Sequence, residues 1–347
     1  MDQTEERGID RAPVGPLRTD AFPDVSVIIP CRRVDRYVRD CVVGCLRLEG
    51  VQPEILVLPD SFSPDEVRDF PSEVSVIATG SVLPGAKRNL GTRRSSADIV
   101  AYIDADAYPK PDWLDKALPH LAKAEIGAVG GPGITPKEDG LVQRLSGEIY
   151  ASPMMGRTNR IRYVPGREQE ISDLHSCNFV AKKEVVLRAG GWSEAYWPGE
   201  DTLLCLAIAR TGIKILYSPT VQVYHHRRSS FRAHLRQVWN FGLHRGFFFR
   251  HFPANSRRVL YAVPSMMLLY VTSIPLFWFA GFADVRIVTF PLFAYAGLVL
   301  VASLMASEKR LIPLVWAGIF ASHLVYGGAF IKGFLSTDVS KAKDVNR

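Results

Sequence analysis

The chain has 347 residues, and its 42 Lys and Arg against 35 Asp and Glu give a formal net charge of +7. This length accommodates a catalytic domain of ordinary size and a further region. Outside the apolar C-terminal third, no basic helix is interleaved with aromatic residues. Nucleic-acid binding is therefore not expected, and the positive charge is better explained by a membrane surface.

The N-terminal segment is polar and has no apolar core of the kind found in signal peptides. It predicts a disordered tail over 1–23, attached to a domain that stays on the cytoplasmic side. The five cysteines show no CxxC spacing. In a cytosolic domain such a scattered set predicts reduced, packed thiols.

Apolar runs of strand length alternate with segments of helical period over the first hundred residues. The runs are VSVIIP from Val25, EILVLP from Glu54, VSVIAT from Val74 and IVAYID from Ile99, and the helical segments are 35–48 and 85–97. This alternation predicts an α/β fold with a mostly parallel sheet covered on both faces. Ligands of such sheets bind beyond the carboxyl ends of the strands. The residues at those ends are Pro30, Asp60, Gly80 and Asp104.

Two carboxylates, Asp104 and Asp106, follow the strand predicted at Ile99. Side chains at i and i+2 of a strand point to the same side, so this pair suits a hard divalent cation. A solvated strand end followed by a turn is the alternative interpretation, since Asp, Pro and Lys are common there.

Three segments occur in order before the apolar tail: VSVIIP, GAKRNLGTRRSSADIVAYIDADAYPKPDWL and SCNFVAKKEVVLRAGGWSEAYWPGEDTLLCLAIARTGIKILYSP. This ordered set resembles family 2 of the inverting glycosyltransferases. The resemblance runs from about residue 24 to about residue 246 and implies the GT-A fold. Within that family the chain is most similar to membrane-anchored bacterial enzymes of the succinoglycan type, which extend lipid-linked saccharides.

On the donor side, the resemblance implies that Asp106 is the main ligand of Mn²⁺ or Mg²⁺ and that Asp104 contacts the ribose or the metal. His225 and His226, at the end of TVQVYHH, are both candidates to reach the metal or the diphosphate, and His226 is taken as the further metal ligand. Solvation at a strand end is the alternative for each of them. The nucleotide sugar, with a UDP-sugar favoured, would be bound by Pro30, Arg32, Asp60, Lys87, Arg88, Asn89 and Asp104. For GAKRN the alternative is a helix start with a solvated basic face. The sequence departs from the family where it has RRV after Cys31 and Pro59 before Asp60, which leaves the identity of the base open.

On the acceptor side, the family's Glu-Asp motif falls on Glu200 and Asp201. The resemblance implies that Asp201 is the general base, whereas a carboxylate that caps a helix is the local alternative. The expected acceptor-binding residues are Glu200, Trp197, Asn178 and Gln237. Polymerising members of the family have the motif Gln-x-x-Arg-Trp, whereas this chain has QVWNF at 237–241. Asn240 thus replaces the Arg of the motif, which favours transfer of a single sugar.

Three stretches, 259–283, 287–307 and 311–331, are long and apolar enough to cross a bilayer. The basic and aromatic segment before them, 231–252, is typical of a helix in the headgroup layer. Basic residues beside the first span predict a cytoplasmic catalytic domain, but a C-terminus on the far side fits poorly with Lys341, Lys343 and Arg347. The predicted division is a tail at 1–23, a GT-A domain at 24–230, an interfacial region at 231–256, three transmembrane helices at 257–335 and a tail at 336–347.

The predicted function is transfer of one sugar, with inversion, from a nucleotide sugar to a lipid-linked saccharide at the cell membrane in envelope polysaccharide or glycolipid synthesis. Transfer directly to a polyprenyl phosphate is one alternative. A membrane-anchored protein that binds a nucleotide sugar without turnover is another. A sugar nucleotidyltransferase is disfavoured because the Gly-rich loop expected after Val25 is missing.

Overall fold

The computed structural model describes residues 25–279, 281 and 284–340. The tail predicted at 1–23 lies outside the described residues. The strands are β1 (Val25–Pro30), β2 (Glu54–Leu58), β3 (Val74–Val76), β4 (Ile99–Ile103), β5 (Ala107–Pro109), β6 (Ile126–Gly130), β7 (Gly133–Ile134), β8 (Gln169–Glu170), β9 (Asn178–Lys182), β10 (Lys214–Tyr217) and β11 (Val223–His225). The helices are α1 (Arg36–Leu46), α2 (Pro64–Val67), α3 (Pro84–Arg94), α4 (Trp113–Leu121), α5 (Leu141–Ala151), α6 (Arg157–Arg160), α7 (Lys183–Arg188), α8 (Glu200–Arg210), α9 (Phe231–His251), α10 (Pro253–Ser256), α11 (Val259–Phe279), α12 (Val285–Ser303) and α13 (Ile312–Leu335).

Eight strands form one sheet in the order β3-β2-β1-β4-β9-β6-β10-β8. The first four strands of this order are parallel, as the sequence predicts, and the register pairs Val27 with Ile55 and with Ala101. Strand β9 runs antiparallel between β4 and β6. A second, small sheet has the order β5-β11-β7 and lies where the chain leaves β4.

Both faces of the large sheet are covered, because its central strands are apolar on both sides. In β1, Val25, Val27 and Ile29 join one core with residues of α1 and α4. Ile28 joins the other core, with Trp192 and residues of α7 and α8. The five cysteines are all free and buried, as predicted. The mostly parallel, doubly covered α/β architecture is thereby confirmed.

Four long helices follow the sheet domain. Among the described residues, three helices are long and apolar enough to cross a membrane, and they lie at Val259–Phe279, Arg286–Ser303 and Lys309–Leu335. Helix α9 precedes them and buries Val238, Leu243 and Phe247. Its glycines let it approach α13 at backbone distance, since a Cβ on Gly246 would lie 2.0 Å from the carbonyl oxygen of Phe330.

Candidate active site

Asp104 and Asp106 lie at the carboxyl end of β4, where the small sheet begins. Strand β11 pairs with β5 so that His225 stands opposite Ala107, and this register brings the His225 Nε2 to 3.2 Å from Asp106 Oδ1. One ligand atom from each of Asp104, Asp106 and His225 lies within 4.8 Å of the others. Two carboxylate oxygens and an imidazole nitrogen in one cluster form a donor set that suits a divalent cation.

His226 does not join this cluster, which corrects the expectation that it is a metal ligand. Its Nδ1 lies 2.5 Å from Asp139 Oδ1, and its ring packs at 4.9 Å from the ring of Tyr37. Successive side chains of a strand point to opposite faces. Since His225 faces Asp106, His226, the residue directly after the strand, faces the other way.

Arg228 also contacts Asp106, with Nη1 3.2 Å from Oδ2. The side chains of Arg228 and Asp106 are only 33% and 27% exposed. A cationic group therefore stands beside the acidic cluster, where it can balance carboxylate charge or meet an anionic ligand.

Arg88 joins the acidic cluster to the first turn of α8. Its Nη2 donates to Asp104 Oδ1 at 2.7 Å and to Ser176 Oγ at 3.0 Å, while Nη1 donates to Glu200 Oε1 at 2.8 Å. The guanidinium lies over the ring of Trp192 and is 2% exposed. Burial alone would lower the pKa of Arg88, but Asp104 and Glu200 raise it above its ordinary value. The predicted contact of Arg88 with the nucleotide is thus corrected: Arg88 holds Asp104 in place.

Glu200 is likewise turned inward, which corrects its prediction as an acceptor-binding residue. Its side chain is 4% exposed, and Arg88 binds it. Burial raises the pKa of Glu200 to about 7, the charge of Asp201 adds to the rise, and Arg88 opposes it. The side chain connects the first turn of α8 to Arg88.

Asp201 lies in the first turn of α8, as the sequence predicts, after Gly199 with φ 117°. A Cβ on Gly199 would meet the Phe248 ring at 2.6 Å, so the turn packs tightly against α9. Oδ1 of Asp201 accepts from the Thr202 amide at 2.7 Å. Burial raises the pKa of Asp201, and Asp173 adds to the rise while Arg162 opposes it. A carboxylate with a raised pKa holds a proton more strongly, which suits a general base.

A buried ionic cluster below Asp201 consists of Asp173, Arg162 and Arg245. The Asp173 carboxylate is 2% exposed, lies 3.0 Å from Arg162 Nη2 and 3.1 Å from Arg245 Nη2, and accepts from Thr202 Oγ1 at 3.0 Å. Arg245 stacks on Tyr261 in the first turn of α11, 4.6 Å from the ring centre. This cluster links the first turn of α8 to the start of the apolar C-terminal helices.

The ends of β1 and β2 form the other side of the crevice. Lys87 is 3% exposed and binds Asp60, and its Nζ also donates to the carbonyl oxygens of Cys31 at 2.6 Å and Leu58 at 3.3 Å. All three donors of the ammonium group are engaged within the protein. Lys87 therefore positions Asp60, which corrects the prediction that it contacts the nucleotide. Arg32 is 56% exposed, and its Nε lies 4.0 Å from Asp60 Oδ2.

Two predicted amide ligands are structural. Asn89 Nδ2 donates to the Trp192 carbonyl oxygen at 2.9 Å and to Glu194 at 2.8 Å, and its Oδ1 accepts from the Trp192 amide. Asn178 is fully buried, accepts from Trp113 Nε1 at 2.8 Å and donates to the Val221 carbonyl oxygen at 2.8 Å. Nucleotide binding by Asn89 and acceptor binding by Asn178 are both corrected, because their hydrogen-bonding groups are used inside the protein.

The remaining predicted residues lie around the same crevice. Pro30 ends β1. Trp197 precedes a cis peptide bond to Pro198, beside the first turn of α8. Gln237 is half-buried on α9, where its Oε1 accepts from the Tyr150 hydroxyl at 3.3 Å. These three positions stay predictions.

His175 is a site residue that the sequence analysis missed. Within the described part of the chain, neither of its buried ring nitrogens has a hydrogen-bond partner. Burial lowers the pKa of His175 well below its ordinary value, and the nearby charges of Arg162 and His225 act in the same direction. A lone His just before an apolar strand carries no periodic signal, so only the fold reveals that it lies near His225 of the acidic cluster and near Arg162 and Asp173.

Comparison with known proteins identifies the domain. Residues 26–188 match the family described as glycosyl transferase family 2. The chain carries a family 2 glycosyltransferase domain. The matched range includes Asp104, Asp106 and Arg88 and ends before α8.

Curated relatives agree with this identification. Over 235 residues the chain is 27% identical to the pre-mycofactocin glycosyltransferase of two Mycobacterium tuberculosis strains, an alignment that covers 64% of this chain and 46% of that protein. The chain thus spans about half the length of these relatives. It is also 21% identical to a dolichyl N-acetyl-alpha-D-glucosaminyl phosphate 3-beta-D-2,3-diacetamido-2,3-dideoxy-beta-D-glucuronosyltransferase of Methanococcus voltae, with 65% of this chain and 74% of that protein covered.

Among solved structures, the family 2 domain and its helices are similar to mannosyltransferase PcManGT from Pyrobaculum calidifontis, solved with GDP-Man and Mn²⁺. The TM-score is 0.61 at 18% identity, and the alignment covers 92% of this chain and 91% of the other. At that identity the likeness shows a shared fold, which is the GT-A-like fold predicted from the sequence.

Proposed function

We propose that the chain is a metal-dependent, inverting glycosyltransferase that moves one sugar from a nucleotide sugar to a saccharide acceptor carried on a lipid. The observation that carries the proposal is the Arg88 bridge. A single buried guanidinium binds Asp104 of the acidic cluster and Glu200, the residue before Asp201. A donor diphosphate at the cluster and an acceptor hydroxyl at Asp201 would therefore meet in one crevice.

The residues present fit a divalent cation. Asp104, Asp106 and His225 offer two oxygens and one nitrogen in a cluster only 4.8 Å across, a set that accommodates Mn²⁺ and, with water completing the shell, Mg²⁺. The similar mannosyltransferase was solved with Mn²⁺. A bound ion would neutralise the diphosphate that leaves when the sugar is transferred. Asp106 would be its main ligand, and Arg228 would contribute a second positive charge beside the leaving group.

Asp201 would accept the proton of the acceptor hydroxyl as its oxygen attacks the anomeric carbon. The bond from that carbon to the diphosphate breaks in the same step, so the configuration inverts and no covalent enzyme intermediate is needed. The raised pKa of Asp201 favours proton acceptance. The Arg162, Asp173 and Arg245 cluster holds the first turn of α8 and keeps the carboxylate oriented.

The position of Asp201 close to the start of the apolar helices supports a lipid-linked acceptor. Arg245 contacts both Asp173 and Tyr261 of α11, and Arg258 Nη2 donates to Ser172 Oγ at 2.8 Å. The base would thus work next to the point where an apolar helix begins, within reach of a saccharide held at a bilayer surface. The name of the Methanococcus relative includes a dolichyl phosphate-linked sugar. Direct transfer to a polyprenyl phosphate is the second candidate, and the experiment below includes that acceptor.

The test compares three full-length variants in membranes with a panel of nucleotide sugars. Asp106→Ala should lose metal-dependent binding of the nucleoside diphosphate and all turnover, because the diphosphate charge is left uncompensated. Asp201→Asn should keep that binding but lower turnover by roughly a hundredfold to ten-thousandfold. Asp69→Asn, at an exposed position, is the matched control and should behave as the parent.

Calorimetry with nucleoside diphosphate and Mn²⁺ measures binding, and release of the diphosphate measures turnover with either lipid-linked saccharide or polyprenyl phosphate as acceptor. Retention of more than about a tenth of parental turnover in Asp201→Asn would show that the base lies elsewhere. Binding without turnover by the parent, across all donors and acceptors, would leave only a nucleotide-sugar-binding role.

A further inference from the structure

Helix α13 contacts the family 2 domain at both of its ends. At its N-terminal end, Glu308 forms an ion pair with Arg144 at 2.7 Å, and the Ser307 amide donates to Glu148 at 3.1 Å. At its C-terminal end, Val339 is 3% exposed and packs in one cluster with Phe248 and Tyr196. The helix between these contacts has 24 residues and is therefore about 36 Å long.

The middle of α13 is also held by the domain and by α9. His323 Nε2 lies 3.1 Å from the Met154 carbonyl oxygen. Ser322 Oγ lies 3.1 Å from His234 Nε2 on α9, and His234 Nδ1 lies 2.7 Å from Ser146 Oγ on α5. The chain of contacts from α5 through α9 to α13 means that α13 runs along the domain over its whole length.

Such a helix cannot cross a bilayer unless the domain crosses it as well. A spanning helix has its two ends on opposite sides of a hydrocarbon core about 30 Å thick. Arg144 and Glu148 at one end of α13, and the loop of Tyr196 at the other, belong to the same α/β domain. A charged, irregular domain surface does not lie in hydrocarbon.

The other two apolar helices, α11 and α12, are mostly exposed, whereas α13 is packed along the domain. Only 6% of the span in α11 and 17% of that in α12 is buried, against 44% for α13. Large side chains cover their surface, including Leu276 at 71%, Phe279 at 83% and Phe290 at 70% exposed. Helix α11 starts near the domain, where Arg258 binds Ser172, and α12 finishes near it, where Ser307 binds Glu148. The far end of the hairpin contains the exposed, charged pair Asp284 and Arg286.

We propose that α11 and α12 cross the bilayer as a helical hairpin and that α13 does not cross it. Instead, α13 lies in the headgroup layer beside α9, with Leu314, Leu324 and Leu335, which are 47%, 40% and 68% exposed, turned toward the lipid. The partner of this surface is one leaflet of a bilayer. The segment after α13 then stays on the same side as the catalytic domain, and its Lys341, Lys343 and Arg347 obey the positive-inside rule. This topology holds whether or not the proposed reaction is correct.

The test is cysteine accessibility in the full-length chain. Three single substitutions report three positions that are exposed in the structure: Asp69→Cys in the catalytic domain, Asp284→Cys at the tip of the hairpin, and Thr337→Cys after α13. The five native cysteines are buried, so labelling of the parent chain measures the background signal. Labelling with a membrane-impermeant maleimide is compared in intact and permeabilised cells.

We expect Thr337→Cys to be labelled in the same way as Asp69→Cys. Labelling of both should be near background in intact cells and should rise severalfold after permeabilisation. Asp284→Cys should be labelled in intact cells. If Thr337→Cys and Asp284→Cys are both labelled in intact cells, all three helices cross and the proposal is wrong. If all three positions need permeabilisation, the hairpin does not cross and the proposal is equally wrong. Ser340→Cys serves as a second reporter after α13 should Thr337→Cys accumulate poorly.

Discussion

Arg88 connects the acidic cluster of Asp104 and Asp106 to the first turn of α8. Its fork reaches Asp104 on one side and the buried Glu200 on the other, and Trp192 stacks on its face. A planar guanidinium can hold two carboxylates in a defined geometry, which a lysine cannot do. Removal of Arg88 leaves a buried carboxylate without its partner.

Replacement of Arg88 by Met should therefore lower the free energy of unfolding by about 3–5 kcal/mol, the usual cost of breaking a buried ion pair. Nucleoside diphosphate binding should weaken as well, because Asp104 loses its orientation. Denaturant titration measures the first effect and calorimetry the second. Arg188→Met is the matched control, since it removes an i,i+4 pair with Glu184 that is 33% and 55% exposed and should cost roughly 0.5 kcal/mol or less. Equal costs for the two variants would contradict the role assigned to Arg88.

We expect two carboxylates, Glu200 and Asp201, to determine how turnover depends on pH. Burial raises the pKa of both, to about 7 for Glu200. A base must be ionised to accept a proton, so turnover should be lost as the pH falls through the raised pKa of Asp201. That acid limb should lie above the range of about 4 that is normal for an exposed aspartate.

The Glu200→Gln variant separates the two carboxylates. If Asp201 is the base, the acid limb of turnover against pH persists in this variant, although its midpoint can move because the two groups titrate together. Loss of the limb in Glu200→Gln would assign the base to Glu200 instead.

At the scale of the elements, the contact between α9 and α13 depends on glycine. A Cβ on Gly246 would lie 2.0 Å from the Phe330 carbonyl oxygen, and one on Gly333 would lie 1.8 Å from that of Leu243. Because these neighbours are backbone atoms, they cannot rotate away as a side chain could. Since Phe248 of α9 packs on Gly199, α9 also supports the turn that presents Asp201.

Gly246→Ala should thus force α9 and α13 apart and lower stability by about 1–3 kcal/mol, the typical cost of overpacking. A lower thermal midpoint in detergent, accompanied by reduced turnover, is the expected result. The matched control is Gly297→Ala on α12, where an added Cβ meets nothing within 4 Å. A midpoint for Gly246→Ala that equals the control would contradict the close packing.

At the scale of the whole molecule, the proposed donor and acceptor sides of the crevice face different surroundings. The pair of Asp60 and Lys87, on the proposed donor side, lies at the end of β1 and β2, whereas the cluster of Asp173 and Arg245 lies against Tyr261 of α11. A bilayer should therefore affect the two substrates differently.

Transfer of the protein from detergent into lipid vesicles should lower KM for a lipid-linked acceptor severalfold, because enzyme and acceptor then share one surface and their effective concentration rises. The Kd for the nucleoside diphosphate should not change. Initial rates and calorimetry on the same preparations provide both values, and a soluble saccharide acceptor is the control. An equal change in both constants would mean that the bilayer acts on folding rather than on acceptor delivery.

The sequence by itself determined the strands β1, β2, β3 and β4, the helices α1 and α3 and the apolar C-terminal helices. These features follow from hydrophobic periodicity, which each segment carries locally. It also located Asp104, Asp106 and Asp201 at element ends, where the chain leaves a buried strand or begins a helix. The recurrence of these pieces in order predicted the family 2 domain.

Only the tertiary structure decided which polar side chains face the crevice and which turn inward. Five residues look like ligand-binding residues in the sequence, yet each forms hydrogen bonds with groups distant along the chain: Arg88, Asn89, Lys87, Glu200 and Asn178. Arg88, for example, binds Glu200 at a separation of 112 residues. The choice of His225 over His226 depends on the register of β11 against β5, and a shift of one residue would exchange their faces. Strand register and helix crossing are non-local, so no single segment of sequence encodes them.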